Sequence, residues 1–212
     1  DHFELFFSKT YWHWTIFHTY SPYFYLISFS LGKIFQTILS ISHMVKKRQI
    51  LVIGHNTNGC TPEHEKVAYD VGFEIAKSDS VLLTGGLGGV MAAASHGAKD
   101  AGGLTLGIIP QDDATLANEF CDIVIPTGMG LTRDFLNALS ADGIIIVGGG
   151  SGTLSEVCAA YMHKKPMVAI RNLNGPVAQY IDGYIDHRKN VKIIGEDTAQ
   201  EAVQKILELI TA

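Results

Sequence analysis

The run Gly143-Ile144-Ile145-Ile146-Val147 is apolar without alternation and breaks directly into Gly148-Gly149-Gly150. A strand with no polar side must be covered on both faces, which is the condition of a parallel sheet between two layers of helices. Similar short runs occur at Gln49–Gly54, Val81–Thr84, Leu104–Ile109, Ile123–Pro126, Met167–Ile170 and Val191–Ile194. Helical patterns separate them at Pro62–Ser78, Gly89–Ala101, Thr132–Ser140, Thr153–Met162 and Thr198–Ile210. Val67, Ala68, Val71 and Ile75 recur on one helical face, as do Val203, Ile206, Leu207 and Ile210. Thr61 before Pro62, and Asp197 three residues before Gln200, read as helix starts. The alternation predicts a single α/β domain with a doubly wound, mostly parallel, Rossmann-like sheet.

Residues 1–43 stand outside that pattern, holding both Trp and most of the Phe but only one of the 22 Gly. The domain is therefore expected over 44–212, with 1–43 as an aromatic-rich leader. Phe24–Ile41 borders on the length of a membrane span, interrupted by Lys33 and Gln36. The leader has no basic n-region and no small-residue cleavage site near Met44, so a secretory signal is not expected. The expectation is upstream sequence from a misplaced start, with no membrane role for 44–212.

The formal charge is −5, and the leader's Asp1 and Glu4 balance its Lys9 and Lys33. An acidic domain lacks the field that holds a long polyanion, so nucleic acid is not an expected partner. Cys60, Cys121 and Cys158 are far apart and form no C-x-x-C, which fits a reducing, cytoplasmic setting. Cys158 is expected to face the core. No histidine pair has convincing metal spacing, and no metal is expected.

In doubly wound sheets, ligands collect at the carboxyl ends of the strands. Two glycine-dense turns fall there. In Gly148–Glu156, missing side chains let a phosphate approach the backbone, and the first helical turn offers unpaired N–H groups. Its candidate contacts are Gly149, Gly150, Ser151, Gly152 and Thr153. In Thr84–Met91 they are Gly85, Gly86, Gly88, Gly89 and Met91. Neither turn has the Walker or the dinucleotide fingerprint, and Ser151 lacks the nucleophile elbow.

His55 and Asn56, after the first strand, are further candidates, and Asp112 and Asp113 lie in a loop that could reach the site. His64, His96, His163 and His187 read as surface or satisfied residues. Arg133 opens a helix, where a cation opposes the macrodipole; it serves either surface solvation or an anionic partner. Glu156 admits two readings. Thr153-Leu-Ser-Glu156 is a capping-box sequence, and the same carboxylate could instead meet a substrate.

Thr84-Gly-Gly-Leu-Gly-Gly-Val-Met91, Gly97 through Gly103 to Gly107-Ile-Ile-Pro110, Arg133, Asp142 and Gly149–Glu156 occur in that order. Together they resemble the Lonely Guy-like superfamily, and most closely its branch of molybdenum cofactor carrier proteins. The resemblance covers essentially all of 49–211. In the enzymatic branch the loop reads P-G-G-x-G-T-x-x-E, with an arginine fifteen residues before the proline. Here Gly148 takes the proline's place and Arg133 falls at that spacing.

The resemblance implies a homodimer and one of two functions. The first is phosphoribohydrolase cleavage of a nucleoside 5′-monophosphate to free base and ribose 5-phosphate. Gly149–Thr153 would then hold the phosphate, and Arg133 and Glu156 would form the catalytic pair around an oxocarbenium-like state. The second is non-catalytic carriage of a phosphorylated pterin, the molybdenum cofactor; neither function requires a further cofactor. Ala92 stands where many relatives have glycine, and Asp134 follows the arginine where enzymes often carry lysine. The lysine decarboxylase label often given to the family has no counterpart here, since nothing resembles a pyridoxal-phosphate lysine. A more distant likeness to DNA-processing protein A would call for a basic surface, and the domain is acidic.

Overall fold

A computed structural model of the chain describes residues 46–211, so the readings made for the leader lie outside the described residues. Seven strands form the sheet: β1 Gln49–Gly54, β2 Val81–Thr84, β3 Thr105–Ile109, β4 Ile123–Pro126, β5 Gly143–Val147, β6 Met167–Ile170 and β7 Ile193–Glu196. Their spatial order is β4-β3-β2-β1-β5-β6-β7. Every pairing is parallel, so the sheet is wholly rather than mostly so. Five α-helices accompany it: α1 Pro62–Lys77, α2 Val90–Asp100, α3 Arg133–Ser140, α4 Ser151–Met162 and α5 Ala199–Thr211.

Strand residues alternate between two cores. Ile50, Val52, Leu82, Ile145 and Val147 pack with Ala68 and Val71 of α1, Ala94 of α2 and Val203 and Ile206 of α5. Their neighbours Leu51, Ile53, Leu83, Ile144 and Ile146 pack on the other face with Ala138 of α3 and Val157 and Ala160 of α4. This double covering is why β5 carries no polar residue. The chain winds outward from β1 to β4, then returns to place β5 on the other side of β1. The strand order reverses there, and the loops leaving β1 and β5 diverge to open a crevice.

Several sequence expectations need correction. The last strand runs two residues later than Val191–Ile194, because its register with β6 continues through Gly195 and Glu196. The last helix is capped by Thr198, not Asp197. The Thr198 backbone N–H donates to Glu201 Oε2, and the Glu201 N–H donates to Thr198 Oγ1. Cys158 is exposed, since Val157, Ala160 and Tyr161 take the inward face of α4. Of the two readings for His64, surface or satisfied, the first fails, because the residue is buried. Its position in the first turn of α1 lets Nδ1 accept from the backbone N–H of Thr61 at 3.3 Å.

Candidate functional site

A cavity of about 380 Å³ opens at the carboxyl ends of β1 and β5. His55 and Asn56 line it from the loop after β1, Gly85 and Leu87 from the loop after β2, and Met91 from the first turn of α2. Gly150 lines it from the cap of α4 and Ser151, Gly152, Thr153 and Glu156 from α4 itself, while Arg133 and Asp134 enter from α3. Ten of the residues singled out in the sequence thus share one wall or another of this space: Gly85, Met91, Gly150, Ser151, Gly152, Thr153, Arg133, Glu156, His55 and Asn56.

The remaining candidates stand behind it. Gly86, Gly88 and Gly89 do not line the cavity; a Cβ on them would strike Ile109, Thr57 and the His55 carbonyl respectively. They let three chain segments approach one another, and Gly89, with φ +61°, also turns the chain into α2. Gly149 is pressed against the Thr153 side chain. Asp112 and Asp113 are also outside the lining, and Asp113 caps a short 3-10 turn by accepting from the Thr115 N–H.

At the head of the loop, Gly148 has φ +63°. A proline, fixed near −65°, cannot adopt that conformation. A side chain there would also meet the His64 ring, whose Nε2 lies 2.5 Å from the position a Cβ would take. The substitution of glycine for the motif's proline therefore belongs to the backbone geometry of this loop.

Gly150 and Gly152 differ from the glycines before them. Their φ angles are not positive. A Cβ on Gly150 would meet nothing within 4 Å, and one on Gly152 only Asp134 Oδ2 at 3.9 Å. Neither backbone strain nor packing accounts for the missing side chains. Both face open space at the start of α4, where no side chain caps the helix. First-turn N–H groups have no intrahelical partner, and the helix dipole favours negative charge beside them.

The capping-box reading of Thr153 and Glu156 is overturned. The helix starts two residues earlier, at Ser151, which carries both side chains past the cap position. Thr153 Oγ1 instead donates to the Gly54 carbonyl at 3.1 Å, fastening α4 to the end of β1. Glu156 Oε1 accepts from Asn137 Nδ2 at 2.9 Å and lies 3.9 Å from Arg133 Nη1. Burial pushes the Glu156 carboxyl up to about 8; the Asn137 hydrogen bond opposes this, Asp134 adds to it and Arg133 opposes it. At neutral pH the group is mostly protonated.

Arg133 is buried, so surface solvation is not its role. Nη1 donates to Asp134 Oδ1 at 2.7 Å and Nη2 to the Gly85 carbonyl at 3.3 Å, while Nε is buried without a partner. Asp134 Oδ2 accepts from Ser155 Oγ at 3.2 Å. A Cβ at Gly85 would lie 2.9 Å from Arg133 Nη2, so that glycine clears the guanidinium's path.

Asn137 was not singled out in the sequence, where it reads as one more polar residue of a short helix. The signal was its spacing: four residues after Arg133, it must share that helical face. His64 carried no such mark. Its ring packs edge-on to His55 at 4.9 Å, and its Nε2 is buried without a partner.

A wholly parallel, doubly wound sheet with a strand-end cavity at its switch point defines a Rossmann-like α/β protein. The chain belongs to the SLOG cluster4 family, which it matches over residues 47–205. It falls within the Lonely Guy-like and molybdenum cofactor carrier superfamily. An uncharacterized protein of Archaeoglobus fulgidus is 43% identical over 127 residues, 60% of this chain and 82% of that one. The molybdenum cofactor binding protein of Rippkaea orientalis is 35% identical with a TM-score of 0.69, covering 78% of this chain and 99% of its own. The molybdenum cofactor carrier protein of Chlamydomonas reinhardtii is 31% identical with a TM-score of 0.66, covering 79% and 100%.

Proposed function

We propose that the cavity binds a small phosphorylated ligand on the first turn of α4, and that the chain is a carrier of a phosphorylated pterin of the molybdenum cofactor type. One observation carries the ligand reading. Gly150 and Gly152 keep space open above uncapped amides, with no cause inside the protein for doing so. A volume of about 380 Å³ accommodates a small molecule. Similarity to two proteins named for binding or carrying the molybdenum cofactor supports the pterin.

Carriage is favoured over hydrolysis by that similarity. A mostly neutral carboxyl provides little charge for an oxocarbenium-like centre, and Arg133 is already paired. Hydrolysis of a nucleoside 5′-monophosphate is the second reading. It is favoured by the protonated Glu156 carboxyl itself, which could donate to a departing base as a general acid.

The test uses Gly152→Ala. Alanine is the better helix former, so the variant should keep its stability or gain up to about 1 kcal/mol, read as an unchanged or higher melting temperature. Its methyl should cost at least about tenfold in affinity for AMP or a phosphorylated pterin, measured by calorimetry. Undiminished binding would remove the amides of α4 from the site. Incubation with AMP separates the two activities: free adenine that disappears in Glu156→Gln establishes the hydrolase, and tight binding without release establishes the carrier.

A homodimer is part of the same proposal. Ile123 and Ile125 are in register with Leu106 and Ile108, so they face the α3–α4 side of the sheet, yet both are exposed. Leu131 and, on α3, Phe135, Leu136 and Leu139 are exposed too. Six large apolar side chains left exposed fit a partner surface, and a second copy of the chain offers the same apolar groups in return. Free thiols at Cys60, Cys121 and Cys158 support a cytoplasmic setting. No helix among the described residues is long and apolar enough to cross a membrane.

A further inference from the structure

Beside the turn that would hold an anion stands an acid. Asp134 is buried on the wall of the cavity, and its Oδ2 is the one atom near the open side of Gly152. It makes no hydrogen bond to an α4 backbone N–H. Oδ1 accepts a hydrogen bond from Arg133 Nη1, and Oδ2 accepts a share of the Ser155 hydroxyl, which also donates to the Gly152 carbonyl. The amides are left available while a carboxylate charge stands next to them.

We propose that Asp134 is a positioning and specificity-determining residue that limits how tightly the cavity retains a phosphate: it holds Arg133 in an internal ion pair and sets a fixed negative charge beside the anion's seat. This rests on the reading of the cavity as a phosphorylated-ligand site and adds that the ligand is held loosely enough to be handed on. The electrostatics follow from the groups that face the cavity. Arg133 and Asp134 cancel, leaving the dipole of α4 as the main attraction for an anion. A carboxylate a few ångströms from a phosphate in a half-enclosed site opposes it by much more than the same pair would in water.

A structural role alone would make a different prediction. Asp134 lies in the first turn of α3, where an acid is favourable and offsets the unfavourable cation at Arg133. Its removal would then lower the melting temperature and leave affinity unchanged, or weaken all ligands alike. The charge role separates ligands by their phosphate.

The experiment compares the full chain with Asp134→Asn, using calorimetry with AMP, adenosine and inorganic phosphate. The expected result is at least about tenfold tighter AMP binding in the variant, with adenosine changed less than twofold. Should Asp134→Asn fold poorly, Ser155→Ala provides the opposite sign. It strips the hydroxyl from the carboxylate and should weaken AMP severalfold with adenosine unaffected. A carboxyl ¹³C signal from Glu156 should also titrate lower in Asp134→Asn, because Asp134 opposes its ionisation. AMP bound by the wild type with unchanged affinity in the variants overturns this inference alone. No binding of AMP, inorganic phosphate or a phosphorylated pterin to any form overturns the phosphate reading and this inference with it.

Discussion

Glu156 shows how far a residue's chemistry departs from its sequence context. The tetrad Thr153–Glu156 has capping-box spacing, yet the two side chains point to different elements, Gly54 of β1 and Asn137 of α3. The resulting burial has a consequence for stability. A carboxyl whose pKa rises from 4.5 to about 8 on folding binds its proton more tightly in the native state. Its contribution is fully present below pH 4.5 and is lost as pH rises through 8. Urea unfolding at pH 5 and pH 8.5 should therefore show a larger decline for the wild type than for Glu156→Gln, and parallel declines would contradict the buried-acid description. Gly150, Gly152, Arg133 and Glu156 were legible as candidates because the glycines cluster and because Arg133 and Glu156 fall at the spacing of the family motif that the chain resembles. Asp134 was legible only as an acid that weakens a positive field, since its pairing with Arg133 depends on how α3 is buried.

At the scale of elements, the strands were readable because each is short, apolar and followed by glycine or a turn. Helix starts were less so, because capping competes with neighbours one residue away. Thr198 and Glu201 exchange the reciprocal bonds of α5, whereas Asp197 precedes them and takes no part. Thr198→Ala should thus cost about 0.5–2 kcal/mol in chemical denaturation, against less than about 0.5 kcal/mol for Asp197→Ala. The reverse ranking would restore the sequence-based assignment. The early start of α4 at Ser151 has the same origin: glycine positions the cap without offering a side-chain marker.

For the whole molecule, alternation of strand and helix was enough to predict a doubly wound sheet, because continuous apolar strands leave no other way to cover both faces. The strand order was not readable, since nothing in a strand's own residues says which neighbour it takes. Nor was the bare α3–α4 side of β4, whose Ile123 and Ile125 look in sequence like any buried strand. Phe135→Glu, at a residue 52% exposed, should leave stability within about 0.5 kcal/mol and convert a dimer to a monomer in light scattering. A wild-type chain that is monomeric at micromolar concentration would end the dimer proposal.

The fit of Gly148 against the His64 ring bears on how such a loop can change over evolutionary time. A lone proline codon at 148 would demand a reversed backbone dihedral and a displaced imidazole together, so it meets a double barrier. A smaller residue at 64 would lift only the second barrier, so exchange between the two loop types needs the loop backbone itself to rearrange and is not a one-residue change in this scaffold.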